Sequence, residues 1–436
     1  MKNKILVLSA SDTHGAYEAM HRIAVILNAA GHEVKMVVRH QHKNDPFITA
    51  YDPSKGNAPH NQFISLIKRA IAKAGRLINR KKLHFATVQE YFFLGTKEVG
   101  NQINIQDFIE TIDFNPEFIF VGMVNDFMNT TDIKDLAIAY QAKVFNVAVD
   151  MFHFTGGCHY AWECEGYKSD CKNCPAIVEP GFKNRAHENL MQKIENAKAA
   201  SFNILNMSDW TKRQAAESVI YKQAPVYKNI NSIIDTNIFN AQNRNIAKQI
   251  FHLDQDDIHI LAGSYQSNDL RKGFSYLVDA LKQLHALLPH EYQSKIKILI
   301  VSQNIVPAIE AIPFEKKYID YIKDYRLLSL LYQSADVFVN TSVEDSGPMM
   351  VSEALACGTP VVGFDMGIVH NMVISHFNGY KARLRDATDL AKGISEIVLL
   401  DQGSKREYTQ NAVAQVKNHS SYEYVANVLN EVLQYG

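Results

Sequence analysis

No stretch of this chain approaches the roughly 18 to 20 consecutive apolar residues that a membrane-spanning helix needs. Neither sign of charge dominates, since 45 Lys and Arg stand against 46 Asp and Glu for a formal net charge of -1. The first absence argues against a helical membrane protein, and the second leaves no bulk field to recruit nucleic acid. Internal repeats and low-complexity tracts are missing too, and cysteine is scarce, with five residues. The opening run, MKNKILVLSASDTHG, is too short for a signal-peptide core and lacks a small-residue cleavage site, so a cytoplasmic location is expected. In that reducing compartment, cysteines are expected as thiols or metal ligands, with disulfides disfavoured.

What is present is the composition of an ordinary packed protein. Apolar residues make up 47% of the chain, and 436 residues suit two or three domains. ILVLSAS reads as a buried strand, Glu18 to Ala30 carries apolar residues at helical spacing, Gly31 stops that helix, and VKMVV begins another strand. FIFVG, KVFNVAV and FNILNMS continue the strand series. From Ile258 the pattern restarts: IHILAGS, a helix from Phe274 to Leu288, IKILIVSQ, YIDYIKDY, a helix from Leu327 to Gln333, DVFVNTS, a helix from Met349 to Ala356, then PVVGF. Two helical stretches, Ala387 to Leu400 and Tyr422 to Tyr435, end it. The expected fold is α/β, with two Rossmann-like, doubly wound domains. Their expected bounds are 1–205 and 246–405, with a connection at 206–245 and a terminal segment at 406–436.

One short segment carries most of the chemical signal: EDSGPMMVSEALACGTPVVGFDMG, from Glu344 to Gly367. PVVGF is a buried strand by composition, and SEALACG before it is a helix that Gly358 ends. Pro348 suits the first helical position with Ser346 or Gly347 as cap, so the free N–H groups of that helix point out of the strand ends, where open α/β sheets bind ligands. Asp345 lies just before this helix and Glu353, eight residues on, lies about one turn inside it. A carboxylate there suits a ribose diol, and the N–H groups suit sugar hydroxyls or phosphate.

The segment resembles the donor motif of retaining GT-B glycosyltransferases of family 4, in which two acids eight positions apart precede ALACGTPVV. Asp345 takes the first place if spacing is kept, Glu344 if one residue is inserted. LLSLLYQSADVFVNTS (327–342) is similar to the segment that leads into the motif, DLRKGFSYLVDAL (269–281) to the lysine-glycine phosphate site, and INSIIDTNIF (230–239) to the interdomain segment. DMFHFTGGCHYAWECEGYKSDCKNCP (150–175) resembles a subgroup that often builds capsule, O-antigen or exopolysaccharide. The resemblance implies two domains facing a cleft, with the last helix crossing back to the first.

It also implies roles. Lys272 and Arg271 would hold the pyrophosphate and its growing charge, and Gly273 would let the backbone approach. Asp345 joins them as a catalytic candidate, while Glu353, Glu344, Ser346, Gly347, Pro348, Met349 and Met350 would line the donor site. Gly15, Asp150 and His153 are the candidates on the acceptor side. Two departures stand out: GSYQ (263–266) replaces an expected arginine, and Val149 stands where the family has histidine. The implied donor is a UDP- or GDP-sugar, and the acceptor is a glycan or a polyprenyl-diphosphate-linked glycan. No cofactor is expected for catalysis, and no nucleic acid as partner. The competing readings are a sugar-nucleotide epimerase on the same fold and a silent nucleotide-sugar-binding subunit.

Two further features stand apart. Cys158, Cys164, Cys171 and Cys174 lie within seventeen residues, which suits a closed structural zinc site, and iron–sulfur ligation uses the same ligands. Ile67 to Lys82 carries seven Lys or Arg and no acid on an amphipathic pattern, and reads as a peripheral membrane contact on the cytoplasmic face.

Overall fold

The computed structural model describes residues 2–53, 85–222, 229–264, 266–304 and 306–435. The basic stretch Ile67 to Lys82 lies outside the described residues. Two compact units divide the chain, one from Met1–Leu205 with Arg213–Tyr227, the other from Asn206–Lys212 with Lys228–Tyr435.

The first unit is built on β1 (Lys4–Ser11), β2 (Glu33–His40), β3 (Ile48–Ala50), β4 (Phe118–Val121), β5 (Lys143–Ala148) and β6 (Asn203–Asn206), in the order β3-β2-β1-β4-β5-β6. The second uses β7 (Ile258–Gly263), β8 (Ile296–Val301), β9 (Glu315–Ile319), β10 (Val337–Asn340), β11 (Val361–Phe364) and β12 (Gly379–Ala382), in the order β12-β11-β10-β7-β8-β9. The same topology has therefore been laid down twice, with parallel registers such as Leu6↔Ile119 and Phe338↔Leu261. Because β4 and β10 add on the opposite side of the first strand from β2 and β8, each sheet reverses direction of growth between its first and fourth strands. A ligand crevice forms at that point, beyond the strand C-termini.

Burial explains the strand sequences. Ile5, Leu6, Val7 and Leu8 are all fully buried, as are Val337, Phe338, Val361 and Val362, because helices cover both faces of a parallel sheet. The first helix, His14–Ala29, begins four residues before the expected Glu18, since its first turn is polar apart from Tyr17 and Ala16 and hides the start. YIDYIKDY is not a strand along its length: β9 ends at its second residue, Ile319, and Asp324 caps the next helix by accepting the N–H groups of Arg326 and Leu327. An 18-residue helix, Gln402–His419, escapes the sequence pattern because it buries only the narrow stripe Tyr408, Ala412 and Val416. Both it and Tyr422–Tyr435 belong to the second unit.

Candidate active site

The crevice of the second unit is assembled from two loops. The loop after β7 passes through a tight turn, Leu270–Lys272, into the helix Phe274–Leu287. Asp269 fixes that turn: its carboxylate accepts the Arg271 N–H and pairs with Arg271 Nη2 at 2.5 Å. Gly273 sits at φ +62°, and a Cβ there would lie 2.1 Å from the Thr341 carbonyl oxygen, so no other residue fits without displacing backbone. Thr341 Oγ1 donates to the Lys272 carbonyl at 2.7 Å and the Val343 N–H donates to the Arg271 carbonyl at 2.8 Å. These bonds fasten the loop to the end of β10.

Their result is an ion pair across the crevice, with Lys272 Nζ 2.5 Å from Asp345 Oδ2. Burial acts to raise the Asp345 carboxyl, but the charges of Lys272 and Arg271, the Lys272 hydrogen bond and the Gly347 N–H outweigh it and hold the group below its ordinary value. Asp345, the acid at the eight-residue spacing, is thus the one that meets Lys272. Glu344 beside it is buried as well. A pocket opens at this junction, lined by Lys272, Pro348 and Met350 together with Ser264, Asn340 and Thr341. It lies between the ends of β7 and β10, the reversal point of the sheet.

The helix of the motif runs Met349–Ala356, as expected, but Pro348 is its cap and offers it no side-chain bond. The expected cap, Ser346 or Gly347, is used otherwise. Ser346 is buried, and its carbonyl accepts the Ser208 hydroxyl at 2.7 Å. Gly347 donates its N–H to Asp345 Oδ1 at 3.3 Å. Gly367, at φ +51°, lets the turn after β11 approach, since a Cβ there would stand 2.9 Å from the Asp345 carbonyl oxygen. Met349 is partly exposed at the helix start. Glu353 lies inside the helix, only 4% exposed, where it accepts the Tyr332 hydroxyl at 3.2 Å, and the pocket wall does not include it. Arg271, bound to Asp269, acts on the pair through its charge.

Sequence reasoning missed the support beneath this loop. Ser208 is fully buried, bonds Thr211 Oγ1 at 2.9 Å, and both hydroxyls aim at the Ser346 carbonyl. The only available signal was the Ser-x-x-Thr spacing after the strand FNILNM, a common way to start a helix.

In the first unit the candidates are arranged differently. Gly15 is exposed within the first helix, and the left-handed residue of that turn is His14, at φ 71°. Asp150, 3% exposed, accepts the Phe152 N–H at 2.8 Å and bonds His159 Nδ1 at 2.6 Å, while His159 Nε2 lies 3.0 Å from Asn125 Nδ2. His153 is buried in the same cluster, and burial pushes its pKa down to about 4, against the opposing pull of Asp150. The structure therefore brings Asp150 and His153 together, though beneath the surface of the unit.

All four loop cysteines are thiols. Cys174 is hydrogen-bonded to Cys158 and receives the N–H groups of Ala176 and Ile177, while the sulfurs of Cys164 and Cys171 flank Gly166. Among the described residues, no group of three or more His, Cys, Asp or Glu side chains is arranged to hold a metal ion. Cys158 also feels the charges of Cys171 and Cys164, so the four sulfurs gather in one loop.

Residues 257–399, which carry the whole crevice of the second unit, match the family profile described as Glycosyl transferases group 1. A curated relative, an uncharacterized glycosyltransferase of Methanocaldococcus jannaschii, is 32% identical over 99 residues, 23% of this chain and 25% of that protein. The match thus spans a quarter of that relative's length. Among solved structures, sucrose-phosphate synthase from Thermosynechococcus elongatus superposes with a TM-score of 0.64 at 17% identity, covering 100% of this chain and 99% of that one. Anabaena Alr3699/HepE in complex with UDP and glucose gives 0.62 at 15% identity, covering both chains fully. The pneumococcal O-GlcNAc transferase GtfA, in complex with UDP and GlcNAc, gives 0.61 at 10% identity, covering 100% of this chain and 99% of that one. The fold is that of two-domain GT-B glycosyltransferases. No helix among the described residues is long and apolar enough to cross a membrane.

Proposed function

We propose that this protein transfers a sugar from a UDP- or GDP-sugar to a growing, lipid-linked glycan, with retention at the anomeric carbon, in the assembly of surface polysaccharide. The observation that carries the reading is the Lys272–Asp345 pair at the reversal point of a sheet within a matched glycosyltransferase domain. The complexes of HepE with UDP and glucose, and of GtfA with UDP and GlcNAc, support a nucleotide-sugar donor.

In the resting protein Asp345 neutralises Lys272. A donor pyrophosphate, with about two negative charges, competes for that ammonium, and the N-terminal end of the helix Met349–Ala356 adds a second positive locus. As the sugar–oxygen bond breaks, charge grows on the leaving phosphate, so Lys272 stabilises the transition state more than the ground state. Asp345, its charge held by Lys272 and Arg271, keeps the ammonium aimed into the pocket. The leaving phosphate then accepts the acceptor's proton on the same face, which gives retention without a protein nucleophile, and no metal takes part.

Incubation with labelled UDP- and GDP-sugars tests the proposal against its rivals. Transfer of label to a glycan acceptor is the expected result. Epimerised donor without acceptor, or binding without turnover, overturns it.

A structural zinc ion at the four cysteines belongs to the same reading. The N–H groups already aimed at Cys164 and Cys174, from Gly166 and from Ala176 and Ile177, favour thiolates. About one zinc per chain, lost in Cys171→Ser, is expected in protein purified under reducing conditions. Protein with neither zinc nor iron would refute the site.

A further inference from the structure

A cavity in the first unit, apart from Gly15, Asp150 and His153, has no role in the account so far. It opens at the C-terminal edge of the sheet, the side on which open α/β sheets take ligands. Arg39 comes from the end of β2, Asp126 from the loop after β4, and Arg185 from the first position of the helix Arg185–Ala199. With about 750 Å³ of space, it has the size of a small-molecule pocket.

Its lining has two characters. Arg39, Lys97 and Arg185 set three cations against a single carboxylate among the described lining residues, Asp126. Arg185 is held by the Gly95 carbonyl at 3.2 Å, whereas Arg39 and Lys97 have no ion-pair partner among the described residues. The apolar wall is aromatic, formed by Phe85, Phe93 and Phe127. Residues 54–84, which enter the described chain at Phe85, contain no Asp or Glu and eight Lys or Arg, so no carboxylate from that stretch can neutralise Arg39. Uncompensated cations beside an aromatic wall match a ligand with a phosphate at one end and an apolar chain at the other.

We infer that this cavity binds the phosphate or diphosphate ester of a lipid-linked acceptor, with Arg39 and Lys97 on the phosphate and the phenylalanines on the first apolar units. The inference rests on the glycosyltransferase reading and deepens its acceptor side. Two planar or flexible cations whose charges are not spent on protein carboxylates can bind the anion without breaking an existing pair. The aromatic wall sets a lipid ester apart from free phosphate.

Binding to the full chain, measured by calorimetry, tests it with three probes: farnesyl diphosphate, inorganic pyrophosphate and farnesol. Farnesyl diphosphate should bind at least tenfold more tightly than either of the others. The double variant R39Q/K97Q should weaken it at least tenfold, steepen no salt dependence, and leave UDP affinity unchanged. Equal affinity for pyrophosphate and farnesyl diphosphate would overturn the lipid assignment, and equal affinity of variant and wild type would overturn the site. Wild type that binds UDP but not farnesyl diphosphate would also end the inference while sparing the donor site. Failure to bind any nucleotide would instead strike the glycosyltransferase reading.

Discussion

The two units share one strand order, yet the ends of their strands have been put to different use. In the second unit, the crevice presents charge: Lys272, on a pocket wall, meets Asp345 at 2.5 Å, with Gly273, Thr341 and Ser208 fixing the two loops. In the first, the corresponding acids are turned inward. Asp12, fully buried after β1, accepts the N–H groups of His42 and Lys43 and bonds the His42 ring at 2.7 Å, and Asp150 is spent on His159 and Phe152. A shared topology fixes where a site can be and leaves its chemistry to the loops. Only the second unit falls within the group 1 match.

The largest test of this contrast is removal of the cation of the Lys272–Asp345 pair. Lys272→Ala is expected to lower kcat by roughly a hundredfold or more, as for loss of other preorganised charges, and should leave folding intact. Asp150→Asn, its counterpart in the first unit, should act mainly on stability, since it weakens a buried bond to His159. Steady-state kinetics paired with thermal unfolding separates the two. If Asp150→Asn proves the more damaging to kcat with stability preserved, the contrast between the units is wrong.

Next comes backbone geometry. Gly273→Ala demands a left-handed alanine and moves the Thr341 carbonyl, which should cost on the order of 1–3 kcal/mol. Nucleotide affinity should fall along with melting temperature. A variant as stable and as tight-binding as wild type would show that the loop is not fixed in the way described.

The buried histidine gives the first unit a pH signature. His153 has its pKa lowered to about 4 against an ordinary 6.5, because burial penalises the charged ring. Below about pH 6.5 the unfolded chain binds a proton that the folded chain refuses, so stability should fall as pH drops from 6.5 toward 4 and be flat above that window. The full loss is on the order of 2–3 kcal/mol. His153→Phe should flatten part of that slope in urea titrations at pH 5 and 7. An unchanged slope would place His153 outside the buried cluster.

Glu353→Gln sits lower on the scale. In the ribose role that the motif implies, it should raise KM for the donor severalfold and leave kcat nearly alone. The hydrogen bond to Tyr332 suggests the competing outcome, a loss of stability with KM unchanged. Smallest is Ser208→Ala, which removes one neutral bond to the Ser346 carbonyl, about 1 kcal/mol, and should loosen donor binding a few-fold.

How much of this was legible in the sequence follows from physical causes. Strands buried on both faces announce themselves as apolar runs, so β1, β4, β7 and β11 could be placed almost to the residue. The helix Gln402–His419 could not, since three buried side chains in eighteen leave no amphipathic signal. Spacing paired Asp345 with Glu353, and the structure sets the first acid against Lys272 and turns the second toward Tyr332. Gly273 was picked for close approach, but the partner that demands it, Thr341, lies on another strand and could not be named. Ser208 was invisible because its target lies more than a hundred residues away.

The central claim is that Lys272, neutralised by Asp345 at rest, serves the departing phosphate of a nucleotide sugar. Its most direct test is single-turnover transfer from a labelled UDP- or GDP-sugar, comparing wild type with Lys272→Ala at saturating donor. The account predicts transfer to glycan by wild type and a rate at least a hundredfold lower in the variant, which should still bind the nucleotide. Equal single-turnover rates in the two proteins would contradict it.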